Sequence, residues 1–354
     1  MMLLPILATF FDPEKHAVLR CEPVGNGLIN TTYQVEIGAG ANTAATYILQ
    51  KINPVVFKAP EAIMRSMELI AQHLMRVGYP DRVLTPIRNR NAALLSYDAD
   101  GNAWRLLPYI ADSLSVSKVS NPEQAFEAAK TFSHFYACLW EMDLSELRPA
   151  IPGFLDFSSR IVAFNQALAQ ADEIRKQTAA GEITFVLEHL ALPEKFIELQ
   201  KTGKLPTRLI HADPKIDNLL FDRTGTQGIC VIDLDTVMPG PLLYDFGDMI
   251  RSYTNNRAED DPAASSVFNP TYYQAVREGF LFYLGDKLSP IETENLDYSA
   301  RVVVFIQALR FLTDYLNGNI YYKTTYPLQN LQRCRNQINL LRALIDRARS
   351  LPSE

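Results

Sequence analysis

At 354 residues, 47% apolar and 21% charged, the chain has length for about two domains, and its core needs no disulfide or metal staple. Lys and Arg number 34 against 40 Asp and Glu, and the formal charge of −6 argues against a nucleic-acid binder relying on a general basic field. The 4 cysteines (Cys21, Cys138, Cys230, Cys334) show no CxxC spacing and read as reduced core thiols of a cytoplasmic protein. The uncharged stretch 1–11 lacks a basic leader region and is far below the roughly 18 residues of a membrane span, so neither leader nor membrane segment is expected.

The first hundred residues read as β-rich. Strands are predicted over 17–24 and 32–37, separated by Gly25-Asn26-Gly27-Leu28-Ile29-Asn30, and a third over 46–52. Pro60 opens a helix to about Val77, with Ile63, Met67, Ile70 and Leu74 at helical spacing and Gly78 and Pro80 as stop signals. Short strands follow near 92–97 and 103–109 around an Asp98-to-Asn102 turn. From Asn121-Pro122, a cap followed by proline, the pattern turns helical, with further helices over 154–172, 184–202, 269–285, 290–317 and 328–349. One β island, 209–233, interrupts them. The fold class expected is α+β: a small β-rich lobe over 1–110 and a large, mainly helical lobe over 111–354.

Chemistry concentrates in the β island. His211-Ala212-Asp213-Pro214-Lys215-Ile216-Asp217-Asn218 precedes a short strand, a glycine-bearing turn over 223–228 and a returning strand over 229–232. Two short antiparallel strands bring the residue before the first beside the residue after the second, here Asn218 and Asp233. Their oxygens suit Mg²⁺, a hard cation, and Asp213 on the preceding loop can face the same point. Phosphoryl transfer uses such a set: a carboxylate for the acceptor hydroxyl, and oxygens that hold metal on the phosphates. His211 reads as a packed loop histidine.

Asp213, Asn218 and Asp233 resemble the catalytic and metal-binding set of the aminoglycoside phosphotransferase family, relatives of protein kinases. The segments 25–33, 47–50, 231–240, 244–248 and 310–316 are similar to the N-acetylhexosamine 1-kinase branch, covering about residues 20–340. The resemblance implies a protein-kinase-like two-lobe fold, ATP and Mg²⁺ as cofactors, Asp213 as base, and Asn218 and Asp233 as metal ligands. It places Gly25, Asn26, Gly27 and Asn30 over the phosphates, and Gln50 where many relatives carry a phosphate-pairing Lys or Arg. Lys51 follows, and strand alternation puts the two on opposite faces. Glu68 is the expected acidic partner on the following helix, or else a solvated charge. Arg310 and Tyr321 correspond to sugar-contacting residues. Leu28 stands where that branch carries His, implying a different or less polar acceptor. Asp235 is an accessory carboxylate or caps a turn.

Asp245-Phe246-Gly247 spells a protein-kinase motif, but it lies too far after Asn218 for that role, and no A-P-E string follows. By resemblance Asp245 supports the catalytic loop; the alternative is the N-cap of a helix over 246–254. The function expected is kinase action on a hydroxyl of a small molecule, a sugar at its anomeric position by analogy, by a monomer or homodimer with no nucleic-acid or membrane partner. The alternatives are choline, homoserine or another amino alcohol as acceptor, or a non-catalytic ATP-binding regulator. A cationic acceptor calls for clustered acids, and Glu259-Asp260-Asp261 is the one obvious run.

Overall fold

A computed structural model describes residues 3–24, 29–39, 43–263 and 267–350. The chain divides into two compact units. The first comprises Met1–Ser115, Cys138–Pro152 and Leu219–Pro239; the second comprises Val116–Ala137, Gly153–Asn218 and Gly240–Glu354.

Helix α1 (Leu4–Phe10) opens the first unit with Pro in its first turn, where a missing N–H costs nothing. No periodic signal in so short a stretch marks it in the sequence. Strands β1 (His16–Pro23), β2 (Thr31–Ala39) and β3 (Thr43–Lys51) follow, then helix α2 (Pro60–Arg76) and strands β4 (Ser96–Tyr97), β5 (Ala103–Pro108) and β6 (Ser113–Ser115). The first five strands form one antiparallel sheet in the order β1-β2-β3-β5-β4. Val35, Leu49, Trp104 and Leu106 on one face pack with Ile6, Leu7 and Phe10 of α1. Side chains alternate along a strand, so Gln50 and Arg105 stand on the other face, directly opposite each other in the register. Lys51 shares the face of Leu49, which separates the two β3 candidates. The strand expected over 92–97 shrinks to Ser96–Tyr97. The Asn89 side chain takes the amides of Asn91 and Ala93, a local turn that competes with a ladder.

Helices α3 (Pro122–Cys138), α4 (Phe157–Gln170), α5 (Glu173–Thr178), α6 (Ala180–Glu188) and α7 (Glu194–Lys201) come next. The single helix expected over 184–202 is a correction. Asp172 caps the short α5 by accepting from the Arg175 amide, α6 starts separately at Ala180 and ends at His189, and α7 starts at Glu194 behind Pro193. Strand β7 (Arg208–Ile210) leads to the loop of interest. Strands β8 (Leu219–Asp222) and β9 (Gly228–Val231) form the expected hairpin, paired with β6 inside the first unit.

Helix α8 (Leu242–Tyr253), α9 (Pro270–Leu284), α10 (Pro290–Glu294), α11 (Leu296–Leu316) and α12 (Gln329–Ser350) complete the second unit. The helix expected over 290–317 is split at Asn295, which ends α10 as its C-cap with Nδ2 donating to the Ile291 carbonyl, while Ser289 and Glu292 form a capping box at the start of that short helix. Buried residues fill α11 all round, as a central helix requires, and it packs against α4, α8 and α12. Gly247 explains the misleading kinase-like string. A Cβ there would lie 2.6 Å from Val303 Cγ2 and 2.9 Å from the Ser299 carbonyl, so glycine lets α8 and α11 approach. Its neighbour Phe246 is core, its ring centroid 5.1 Å from that of Phe280.

Candidate active site

In the second unit, β7 runs into His211-Ala212-Asp213. Ala212 has a φ of 65°, a left-handed conformation that costs a residue with a Cβ about 1–2 kcal/mol and must be held by its surroundings. Asp245 holds it. One carboxylate oxygen accepts from the His211 amide at 2.6 Å and the Tyr136 hydroxyl at 2.5 Å; the other accepts from the Ala212 amide at 3.0 Å. The Tyr253 hydroxyl donates to the Pro214 carbonyl at 2.7 Å and fixes the far side of Asp213. Helix α8 starts at Leu242 with Pro241 as N-cap, so the N-cap alternative for Asp245 falls: its carboxylate is turned to the loop. The His211 ring is fully buried, edge-on to Phe132 at 5.4 Å.

Complete burial pushes the Asp245 carboxyl up to about 7, against the pull of its three donors, and the nearby Asp248 charge adds to the rise. The folded state therefore binds a proton there that the unfolded chain releases near 3.8. That contribution to stability is complete below 3.8 and is lost as pH rises through about 7. Urea midpoints should show the wild type losing stability relative to Asp245→Asn across this window. A difference independent of pH would refute the assignment.

Asp213 keeps about a third of its side-chain surface exposed, with one oxygen 3.0 Å from Asn218 Nδ2 and 3.1 Å from Lys215 Nζ. Asn218 sits in a single 3₁₀ turn, Ile216–Asn218, and its Nδ2 also donates to the Asp213 carbonyl at 2.8 Å. The amide nitrogen thus faces Asp213, while the amide oxygen accepts no hydrogen bond among the described residues. Lys215 sets a cation beside the candidate base. Its place two residues after Asp213 was the available signal.

In the first unit, the hairpin register pairs Leu219 with Val231, so Ile232 separates the end of β9 from Asp233. Asp233 itself adopts a left-handed φ of 58°. Two residues on, Asp235 is fully engaged. Arg105 grips it with two parallel bonds, Nη1 at 2.5 Å and Nη2 at 3.0 Å, with both side chains buried. Asn30 Nδ2 donates to the same carboxylate at 2.8 Å, and Asn30 Oδ1 accepts from the Asn53 amide. Gln50 accepts from Arg105 Nε at 2.9 Å and donates to Thr32 at 3.0 Å. Gln50, Asn30 and Asp235 therefore belong to one buried network, and the turn-capping alternative for Asp235 is corrected.

The strand beside β3 carries a buried cation, Arg105, opposite Gln50 in the register. Its signal was a lone charge inside the apolar strand Ala-Trp-Arg-Leu-Leu-Pro. Glu68 is corrected as a partner for the β3 residues: it pairs with Arg65 at 3.5 Å and Arg88 at 2.5 Å. Gly25, Asn26, Gly27 and Leu28 lie outside the described residues.

Arg310 and Tyr321 come together in the second unit, lining a cavity of about 170 Å³ with Arg160, Asp314 and Tyr322. The acidic run provides no cation cradle. Glu259 pairs with Arg251 and Arg333, Asp261 with Arg257, and Asp260 accepts from Tyr326 and Gln329. Among the described residues no trio of His, Cys, Asp or Glu forms a metal-binding cluster, and no helix is long and apolar enough to cross a membrane. None of the four cysteines forms a disulfide, and Cys230 and Cys334 are buried. Asn218 and Asp233 are hard-oxygen donors that fit Mg²⁺, an ion that commonly completes its shell with water and phosphate.

A small antiparallel sheet carrying one long helix and a mainly helical remainder make this a protein-kinase-like fold. Over 98% of the chain superimposes on 96% of an aminoglycoside phosphotransferase from Alicyclobacillus acidocaldarius, with a TM-score of 0.62 and 14% identity. The same shares are covered with a microcompartment-associated aminopropanol kinase, at a TM-score of 0.65 and 15% identity. Spectinomycin phosphotransferase, solved with ADP and spectinomycin, gives a TM-score of 0.59 at 15% identity, over 97% of each chain. Residues 20–278 match the Phosphotransferase enzyme family (APH), and the chain belongs to it. It is a small-molecule phosphotransferase with a hydroxyl acceptor.

Proposed function

We propose that the chain is an ATP- and Mg²⁺-dependent kinase that transfers the γ-phosphoryl group to a sugar hydroxyl, by resemblance the anomeric hydroxyl of a hexosamine-like sugar. The observation that carries this reading is the Asp245 clamp. The Asp245 carboxylate, itself held by the Tyr136 hydroxyl, accepts from the His211 and Ala212 amides, and the Tyr253 hydroxyl donates to the Pro214 carbonyl, around the left-handed Ala212 that precedes Asp213. Such rigid positioning is what phosphoryl transfer asks of a protein. Asp213 orients the acceptor hydroxyl and takes its proton. Lys215 offers positive charge to the transferred group. Asn218 and Asp233, which flank the β8–β9 hairpin in sequence, are the proposed Mg²⁺ ligands; the ion neutralises phosphate charge when bound. Gly25, Asn26 and Gly27 cover the nucleotide in this reading, and Arg310 and Tyr321 contact the acceptor.

The test is ADP release across a panel of sugars and alcohols, paired with calorimetry of ATP binding with and without Mg²⁺. Turnover of at least one hydroxyl compound is expected, and Asp233→Ala should abolish the Mg²⁺-dependent part of ATP affinity. No turnover of any compound would sink the kinase reading, and unchanged metal dependence would remove Asp233 from the metal site.

A further inference from the structure

We propose that the Arg160–Arg310 cavity is an anion-binding subsite, so that the acceptor carries a carboxylate or phosphate beside the hydroxyl that is phosphorylated. This rests on the kinase reading for the word acceptor, but the subsite stands on its own observations. Two guanidinium groups line one cavity. Among the described residues Arg310 bonds only the neutral Gln307 oxygen, at 3.0 Å, and Arg160 Nε is buried with no hydrogen-bond partner. Among the described residues neither arginine is in an ion pair.

The neighbouring acids are already engaged. Asp248 lies 2.6 Å from Arg251, and Glu259 serves Arg251 and Arg333. Asp314, which lines the cavity, spends both oxygens on four donors. One accepts from the Ile320 and Tyr321 amides at 2.9 and 2.8 Å, the other from the Tyr322 amide and Asn330 Nδ2 at 2.9 and 2.7 Å. Its role is to build the turn that presents the two tyrosines.

Burial, and then the Arg310 charge, hold the Arg160 guanidinium below its ordinary value, whereas around Arg310 burial is outweighed by the hydroxyls of Tyr322, Tyr244 and Tyr321, which hold that guanidinium above it. An anion between them would offset the cost at Arg160. Phe154 and Tyr322 rings lie 5.7 and 5.6 Å from the Arg310 guanidinium and restrict its orientation, leaving a planar fork of donors suited to two oxygens of one acid. A protonated amino alcohol would meet repulsion here, whereas an acid group on the acceptor would answer both charges, which narrows the sugar proposed above to one that carries such a group. The cavity wall and the catalytic loop also share a support. Tyr244 packs on Phe154 at 6.2 Å, and the next residue on α8, Asp245, clamps the backbone before Asp213.

The test uses matched acid and neutral compounds: glucuronate with glucose, galacturonate with galactose, and glycerate with glycerol, with ethanolamine as a cation. Calorimetric affinity and kcat/KM for ADP release are measured for each. The acid of at least one pair should be favoured by about tenfold or more, and high salt should narrow the gap. Arg160→Gln and Arg310→Gln should remove the preference, mainly through KM, while Arg160→Lys retains part of it; circular dichroism melting confirms that each is folded. The proposal is overturned if no acid binds better than its neutral counterpart, or if folded Gln variants discriminate as the wild type does. Acid binding without turnover of any compound would uphold the subsite and defeat the kinase reading instead.

Discussion

Asp213→Asn should lower kcat by about a hundred- to ten-thousandfold, the range that a positioned general base supplies. The substitution keeps the shape and one acceptor oxygen for Asn218 Nδ2, now 3.0 Å from the carboxylate, but it removes the proposed base. Stability should change little. The Lys215 pair is about a third exposed on each side, and exposed pairs are worth at most about 1 kcal/mol. ATP affinity should also hold, because the expected loss belongs to the transition state rather than to nucleotide binding. Steady-state ADP release with the best acceptor, together with ATP titration and melting of the same variant, separates these effects. A variant that keeps full rate would end the base assignment. A variant that fails to fold would show that the loop depends on Asp213 rather than on Asp245.

The legible parts of this fold and site were those written locally. Strand alternation and turn residues marked β1 to β3, helical spacing marked α2, and Asn121-Pro122 marked the start of α3. The string from His211 to Asn218 is likewise a run of neighbours, so its residues could be named together from sequence. What escaped depends on partners distant in the chain. Arg105 meets Asp235 across 130 positions, and neither residue announces the other. Arg160 gains meaning only beside Arg310, when α4 and α11 pack. Glu68 sits at a helical position compatible with either a buried partner or a surface pair, and only the fold selects Arg65 and Arg88. Helix breaks within 184–202 and at Asn295 were missed for a different reason: strong apolar patterning ran across capping signals that were present.

Removing either half of the buried Arg105–Asp235 pair should be the costliest change in stability, about 3–5 kcal/mol for Arg105→Met or Asp235→Ala. Both side chains are at most 2% exposed, so each single change strands a desolvated charge. Arg105→Met further unpairs Gln50 Oε1, and Asp235→Ala removes the acceptor of Asn30 Nδ2. The double replacement Arg105→Met/Asp235→Leu removes both charges and should recover most of the loss, because apolar pairs of similar volume replace buried ion pairs at little cost. Urea unfolding of the wild type, Arg105→Met, Asp235→Leu and the double form gives the coupling directly; additive losses would show that the two charges do not depend on each other. Recovery of stability should not bring recovery of metal binding. Asp233, the proposed metal ligand, lies two residues before Asp235 with a left-handed φ of 58°, so the change removes a fixed point close to it in the chain. The double variant should therefore bind ATP with Mg²⁺ about tenfold more weakly or worse, the size expected when the support of a ligand is lost. Wild-type Mg²⁺ dependence in a stable double variant would reduce the pair to a packing device.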